Sequence, residues 1–200
     1  MSKVNDFCLV GELSLLIAGS TDKVLRVFGI KVKVDNDGAG EIGDVQLELK
    51  GKIVKESESR TLQLTFDSKR SLMFVLSSDN KLEIFKVVSA QKTDNILKKL
   101  IKREKKAALK RTHSEASDDS LPIKKSVDKA KLQKQIDERT YDMTLHFSRK
   151  LTVPLAEATG AKAKSFVLGK DISGSEIRVV VAFHSNTCTE YLINLKPAPA

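Results

Sequence analysis

Leu15-Leu16-Ile17-Ala18-Gly19-Ser20-Thr21-Asp22-Lys23-Val24-Leu25-Arg26-Val27-Phe28 is the stretch whose reading decides the fold. An unbroken apolar run reads as a strand buried on both faces, and the alternating run after it reads as a half-exposed partner. Between them, Ser20-Thr21-Asp22-Lys23 is a polar turn that holds its own backbone through side-chain hydrogen bonds. The pattern returns 57 positions later as Met73 to Leu76, Ser77-Ser78-Asp79-Asn80, and Lys81 to Phe85. Ser20 falls on Ser77, Asp22 on Asp79, Leu25 on Leu82, Val27 on Ile84 and Phe28 on Phe85. These matches fall on alternate positions of the second strand, the side-chain period of a sheet. A looser third copy runs from Val179 to Phe183, turns at His184 to Thr187 with Asn186 in the aspartate's place, and returns from Cys188 to Leu195.

Further strands frame the second copy, because Val45 to Leu49 and Thr61 to Phe66 both alternate. Thr61 to Phe66, Ser71 to Leu76 and Lys81 to Val88 make a three-stranded meander, and a fourth strand outside it completes one propeller blade. The segment Leu16 to Gly29 resembles the ending of a WD40 repeat, with Phe28-Gly29 and Phe85-Lys86 where the Trp-Asp dipeptide stands. The resemblance implies WD40-type β-propeller blades, with Asp22, Asp79 and Asn186 as structural blade turns. The Gly-His dipeptide that opens such a repeat is missing, so its hydrogen-bonded network is expected to be incomplete. A blade takes roughly 40 to 45 residues, yet Asn186 lies 107 positions beyond Asp79. The surplus falls in a loop around Asp35 to Asp44 and in an insertion after Ser89. About three blades fit, whereas closed propellers have about four to eight. The expectation is an all-β, incomplete propeller, read as a fragment: blades over 1–89, a basic helical insertion over 90–140, and a further blade over 141–200.

The insertion changes period. Ile96, Leu97, Leu100, Ile101 and Ala108 recur at three- and four-residue steps, predicting an amphipathic helix with Thr93-Asp94-Asn95 as N-cap candidates. Between Lys92 and Arg111 nine cations face only Asp94 and Glu104, so this stretch carries +7 of the formal +9. The charge is local, and a polyanion partner belongs at this segment. A polar, acidic loop is expected over about 112–125, a second charged helical segment from Ser126 to Arg139, and a strand again from Tyr141 to Phe147. Three readings of the cations stand side by side. They form a solvated face; or Lys110-Arg111 and Lys124-Lys125 form a bipartite nuclear import signal; or Lys98, Lys99, Lys102, Arg103, Lys105, Lys106, Lys110 and Arg111 contact RNA phosphates or an acidic partner. No aromatic side chain lies on the helix, so it would read charge and shape, not bases.

The order of these features resembles one family, the WD repeat-containing subunits of the U3 small nucleolar RNA-associated complex, the small-subunit processome. The resemblance rests on Gly51-Lys52-Ile53-Val54 through Arg60, on Asp79 to Phe85, and on the Lys/Arg-rich segment directly after. It implies part of the second of two tandem propellers, in a non-catalytic scaffold of nuclear and nucleolar pre-rRNA processing and small-subunit assembly. Implied partners are other subunits of a ribonucleoprotein complex and pre-rRNA or small nucleolar RNA. No cofactor, membrane or small-molecule substrate is implied. The alternative is a WD40 adaptor in another nuclear or cytoplasmic assembly, where the helix serves import or protein docking.

Signatures of chemistry are absent. His113, His146 and His184 are scattered without metal-ligand spacing, so no metal is expected. There is no GxxxxGK[ST] phosphate loop and no GxSxG. Cys8 and Cys188 form no framework, which fits a reducing compartment. No apolar run approaches the roughly 18 residues of a membrane span, and Met1 to Gly11 has no signal-peptide core.

Overall fold

The quoted stretch forms a hairpin inside a set of three antiparallel sheets. A computed structural model describes residues 3–34, 42–89, 91–93, 95–96, 98–99, 102–103, 143–156, 160–169 and 175–195. The first sheet holds β1 (Val4–Val10), β2 (Leu15–Ser20), β3 (Val24–Val34) and β4 (Ile42–Val54), in that order. The second holds β5 (Thr61–Asp67), β6 (Leu72–Ser77), β7 (Lys81–Val87) and β8 (Phe147–Pro154). The third holds β9 (Ala163–Leu168), β10 (Glu176–Phe183) and β11 (Cys188–Asn194). The protein is nearly all-β among the described residues, and its stacked meanders agree with consecutive blades of a β-propeller fragment.

The 57-residue period holds across whole sheets. Phe7 pairs with Ala18 as Leu64 pairs with Val75, and Leu9 pairs with Leu16 as Phe66 pairs with Met73. The fourth strands repeat their irregularity as well. Register shifts between Val27 and Phe28 in one sheet and between Ile84 and Phe85 in the next. A backbone contact repeats with the same period and recurs in the third sheet. Ser14, Ser71 and Ser175 each precede a second strand and accept a backbone N–H from Ile30, Val87 and Leu195, at 2.9, 2.8 and 2.8 Å. Ser14 and Ser71 adopt positive φ, at 50° and 52°.

Each sheet buries one face on its successor. Ile17, Leu25 and Val27 meet Met73, Val75 and Phe85 in the first seam. Phe74, Leu82 and Ile84 meet Phe166, Val179 and Val181 in the second. The middle sheet is covered on both sides, so every residue of β6 is buried. Each fully buried side chain of this size is stabilised by about 1.5–3 kcal/mol relative to exposure. These two seams therefore hold successive sheets together. Polar side chains on the first strands then set their register. Asp6 Oδ2 accepts the Leu64 N–H at 2.6 Å. At the equivalent position, Gln63 accepts the Phe166 N–H at 2.8 Å and donates to the Phe166 carbonyl at 3.0 Å.

Several expectations change. Val45 to Leu49 belong to β4 and close the first sheet, so they do not frame the second. The strand expected from Tyr141 is instead a 3-10 turn, Met143–Leu145, with β8 beginning at Phe147. Met143 and Phe147 both enter the first seam, a placement that strand alternation and a helical turn share, because residues four apart lie on one face in either. β8 pairs with β7, so the segment 90–142 is inserted between the third and fourth strands of the second sheet. The boundaries 1–89 and 141–200 consequently do not coincide with the sheets. Residues 35–41 and the polar loop over 112–125 lie outside the described residues.

Candidate functional site

The three predicted turn residues sit in hairpin loops, where they organise backbone. Asp22 accepts the Ser20 hydroxyl at 2.8 Å, the Val24 N–H at 3.2 Å and the Arg26 guanidinium at 2.8 Å. The Arg26 hydrogen bond, helped by Ser20, Val24 and the positive charge, lowers the Asp22 carboxyl to a pKa of about 2 against the opposing effect of burial. With both side chains 37% exposed, this ion pair contributes little to stability. Asp79 accepts the Ser57 hydroxyl at 2.8 Å and lies 3.5 Å from Lys81 Nζ. Ser57 is in the connector 55–60 between β4 and β5. The serine hydroxyl ties turn to connector.

Asn186 departs from the alignment by one position. Its N–H donates to Phe183 O at 3.2 Å, as Asn80 N–H donates to Ser77 O at 3.2 Å. Asn186 and Asn80 also share positive φ, at 63° and 60°. Asn186 therefore matches Asn80, and Ser185 falls on Asp79. The hydroxyls of Ser185 and Thr187 lie 2.8 Å apart, where the second sheet has Asp79 and Lys81. Matching by side-chain type favoured Asp over Asn, but the three-residue loop puts the left-handed residue last, a place asparagine tolerates.

The connector 55–60 holds a buried polar cluster that sequence reasoning missed. Glu83 is fully buried, accepting the N–H groups of Glu56 at 2.8 Å and Ser57 at 3.0 Å, with Arg149 Nε 3.3 Å away. Lys55 is buried too, donating to Ser59 O and Ser77 Oγ. Burial lowers its pKa, while Glu83, Asp79 and Asp22 push the other way. The advance signal is Glu83 itself, a carboxylate set among Leu82, Ile84 and Phe85. Every carboxylate here is engaged by backbone or by a cation, an arrangement that latches connectors to turns. Among the described residues no group of His, Cys, Asp and Glu is placed to hold a metal.

The cations form a separate surface. Lys98, Lys99, Lys102 and Arg103 lie on helical residues and are exposed. Lys98 and Lys102, and likewise Lys99 and Arg103, are four apart and so are neighbours on the helix surface. Lys105, Lys106, Lys110, Arg111, Lys124 and Lys125 lie outside the described residues. The root of this segment is well held. Thr93 is buried, its N–H donates to Ser89 O at 3.0 Å, and its hydroxyl lies 3.3 Å from His146 Nδ1. Val88 N–H donates to His146 O at 2.8 Å, so the two ends of the insertion meet. Ile96, expected on the apolar stripe, is 39% exposed. No helix among the described residues is long and apolar enough to cross a membrane. No protein-family model matches the chain, and no curated protein matches it significantly.

Proposed function

We propose that the chain is a non-catalytic WD40-type scaffold of a nucleolar small-subunit processome complex, with its basic segment meeting precursor or small nucleolar RNA. One observation carries the reading: exposed Lys98, Lys99, Lys102 and Arg103 on helical residues rooted at Thr93, outside the stacked sheets. Cations held at i and i+4 concentrate charge along one surface, and phosphate contacts there release condensed counterions. The latched connectors support a scaffold, because their polar groups are consumed by structure. The order of blade ending, basic segment and return strand supports the family reading, and nuclear and nucleolar localisation follows from it.

Salt dependence tests the RNA contact. If about six cations engage single-stranded phosphates, the log of affinity for an unstructured RNA oligonucleotide falls with log salt at a slope of about −4. Replacing Lys98, Lys99, Lys102, Arg103, Lys105 and Lys106 by Gln flattens that slope while the circular dichroism spectrum stays unchanged. An unaltered slope removes RNA from this surface. Loss of nuclear import without any salt-dependent RNA signal favours the adaptor reading instead.

A further inference from the structure

Three cations recur at one position of the repeat. Lys3, Arg60 and Lys162 each stand directly before the first strand of a sheet, and all three are exposed. Arg60 and Lys162 are held alike, since their carbonyls accept the N–H of Ser78 at 3.0 Å and of His184 at 2.9 Å. Just beyond the cation each first strand carries a bulge. Pairing passes from Val4 to Asp6, from Thr61 to Gln63 and from Ala163 to Ser165, leaving Asn5, Leu62 and Lys164 out of the ladder. Bulges are over-represented beside functional sites, because they bend the strand and re-aim its side chains. Asp6 and Gln63 bond across to the next first strand, so the three strands lie side by side and their leading cations form a row.

The row is in excess of the charge around it. At the same end of the sheets Asp22 is paired with Arg26, Glu58 with Lys23 and Asp79 with Lys81. Among the described residues no carboxylate pairs with Lys3, Arg60 or Lys162. What accompanies the cations selects the ligand. Glu58, two residues from Arg60, keeps its side chain 82% exposed, so the surface is of mixed sign. Mixed sign suits a peptide better than an unbroken phosphate backbone. The turns 20–23, 77–80 and 184–187 and the connectors 55–60 and 155–162 hold no aromatic residue, so bases find nothing to stack on. Arg60, in the middle of the row, offers a planar fork that holds a carboxylate through two bonds, with Lys3 and Lys162 as point charges on either side. We propose that this row is a docking surface for an acidic segment of a partner protein, whose carboxylates Arg60 anchors between Lys3 and Lys162. The surface lies at the opposite end of the sheets from the basic segment. β7 starts beside Arg60, at Lys81, and ends at Val87, beyond which the segment 90–142 departs. The acidic partner is therefore additional to the RNA contact and does not depend on it.

Fluorescence anisotropy with a fluorescein-labelled peptide of alternating Glu and Ser tests the proposal. The background protein is the full chain with Lys98, Lys99, Lys102, Arg103, Lys105 and Lys106 replaced by Gln, which removes most of the competing charge of the basic segment. It binds the peptide, and adding Lys3→Glu, Arg60→Glu and Lys162→Glu together weakens binding by about ten-fold or more. A charge-matched control reverses Lys52, Lys69 and Lys150, which are exposed elsewhere. It leaves the affinity nearly unchanged at physiological salt, because charges more than a Debye length away are screened. Where thermal melting shows that the triple reversal does not fold, Arg60→Gln alone carries the test, with an expected loss of about three-fold. Equal losses in the two triple variants overturn the proposal, since net charge alone then explains them. A background protein that does not bind the peptide, or binding unmoved by reversal of the row, overturns it as well. So does an unstructured RNA oligonucleotide that binds the background protein more tightly than the peptide and is released by reversing the row. The salt slope for RNA on the unsubstituted basic segment is unaffected by that reversal, so the two readings fail separately.

Discussion

Glu83 is the residue on which the turn and connector system depends. A carboxylate with no exposure is tolerated only when its charge is matched, and here two backbone amides and Arg149 match it. Cys8 shows the same principle with a group that stays neutral. Burial, reinforced by the charge of Asp6, pushes its thiol up from 9.0 to about 12. The folded state thus favours the protonated thiol. Its contribution is fully present below the ordinary pKa of 9.0 and is lost as pH rises toward about 12. Cys8→Ala is expected to flatten the alkaline loss of stability across that window, measured by urea unfolding at a series of pH values. In the native protein a disulfide reagent should titrate exposed Cys188 alone, and both thiols only after denaturation.

An element's periodicity does not by itself tell how many of its faces are covered. β7 was read as a half-exposed partner, yet Leu82 to Phe85 are all buried, and the apolar run of β10 is buried at alternate positions. β6 was legible as a strand buried on both faces because its apolar run is unbroken. β2 carries the same kind of run in a sheet covered on one face, with Leu16 only half-buried on the other. β7 and β10 were placed by their turns. Tyr141 to Phe147 misled, since a 3-10 turn and a strand share apolar positions over so short a stretch. The side chain that hooks one sheet's turn to the next sheet's connector lay beyond any local pattern. Asn80 donates to Ala161 O at 3.0 Å and accepts the Ala163 N–H at 2.8 Å, across more than eighty residues of sequence. Asn80→Ala removes both bonds and places an alanine at φ 60°, so it should cost about 2–3 kcal/mol in chemical denaturation. Asn80→Gly keeps the backbone relaxed and should cost less, which separates the two effects.

At the scale of the whole molecule the sheets are held by seams, and in the first of them the Gly19 backbone packs tightly against the Thr61 side chain. A Cβ on Gly19 would lie 2.6 Å from Thr61 Cγ2, a residue fully buried on the neighbouring sheet. Gly19→Ala should destabilise by about 1–3 kcal/mol as the seam is forced open. Amide exchange should then rise on β5 as well as on β2, which a purely local effect on β2 would not produce. The sequence by itself determined the two hairpins around Asp22 and Asp79, the 57-residue period and the local basic charge, because each is written in neighbouring residues through side-chain period and turn preference. Only the tertiary structure decided that the insertion divides one sheet and that Ser57, Glu83 and Asn80 tie turns to connectors. Those features join residues about twenty to a hundred positions apart, and such contacts are selected by burial and hydrogen-bond satisfaction in the folded chain, where no local pattern records them.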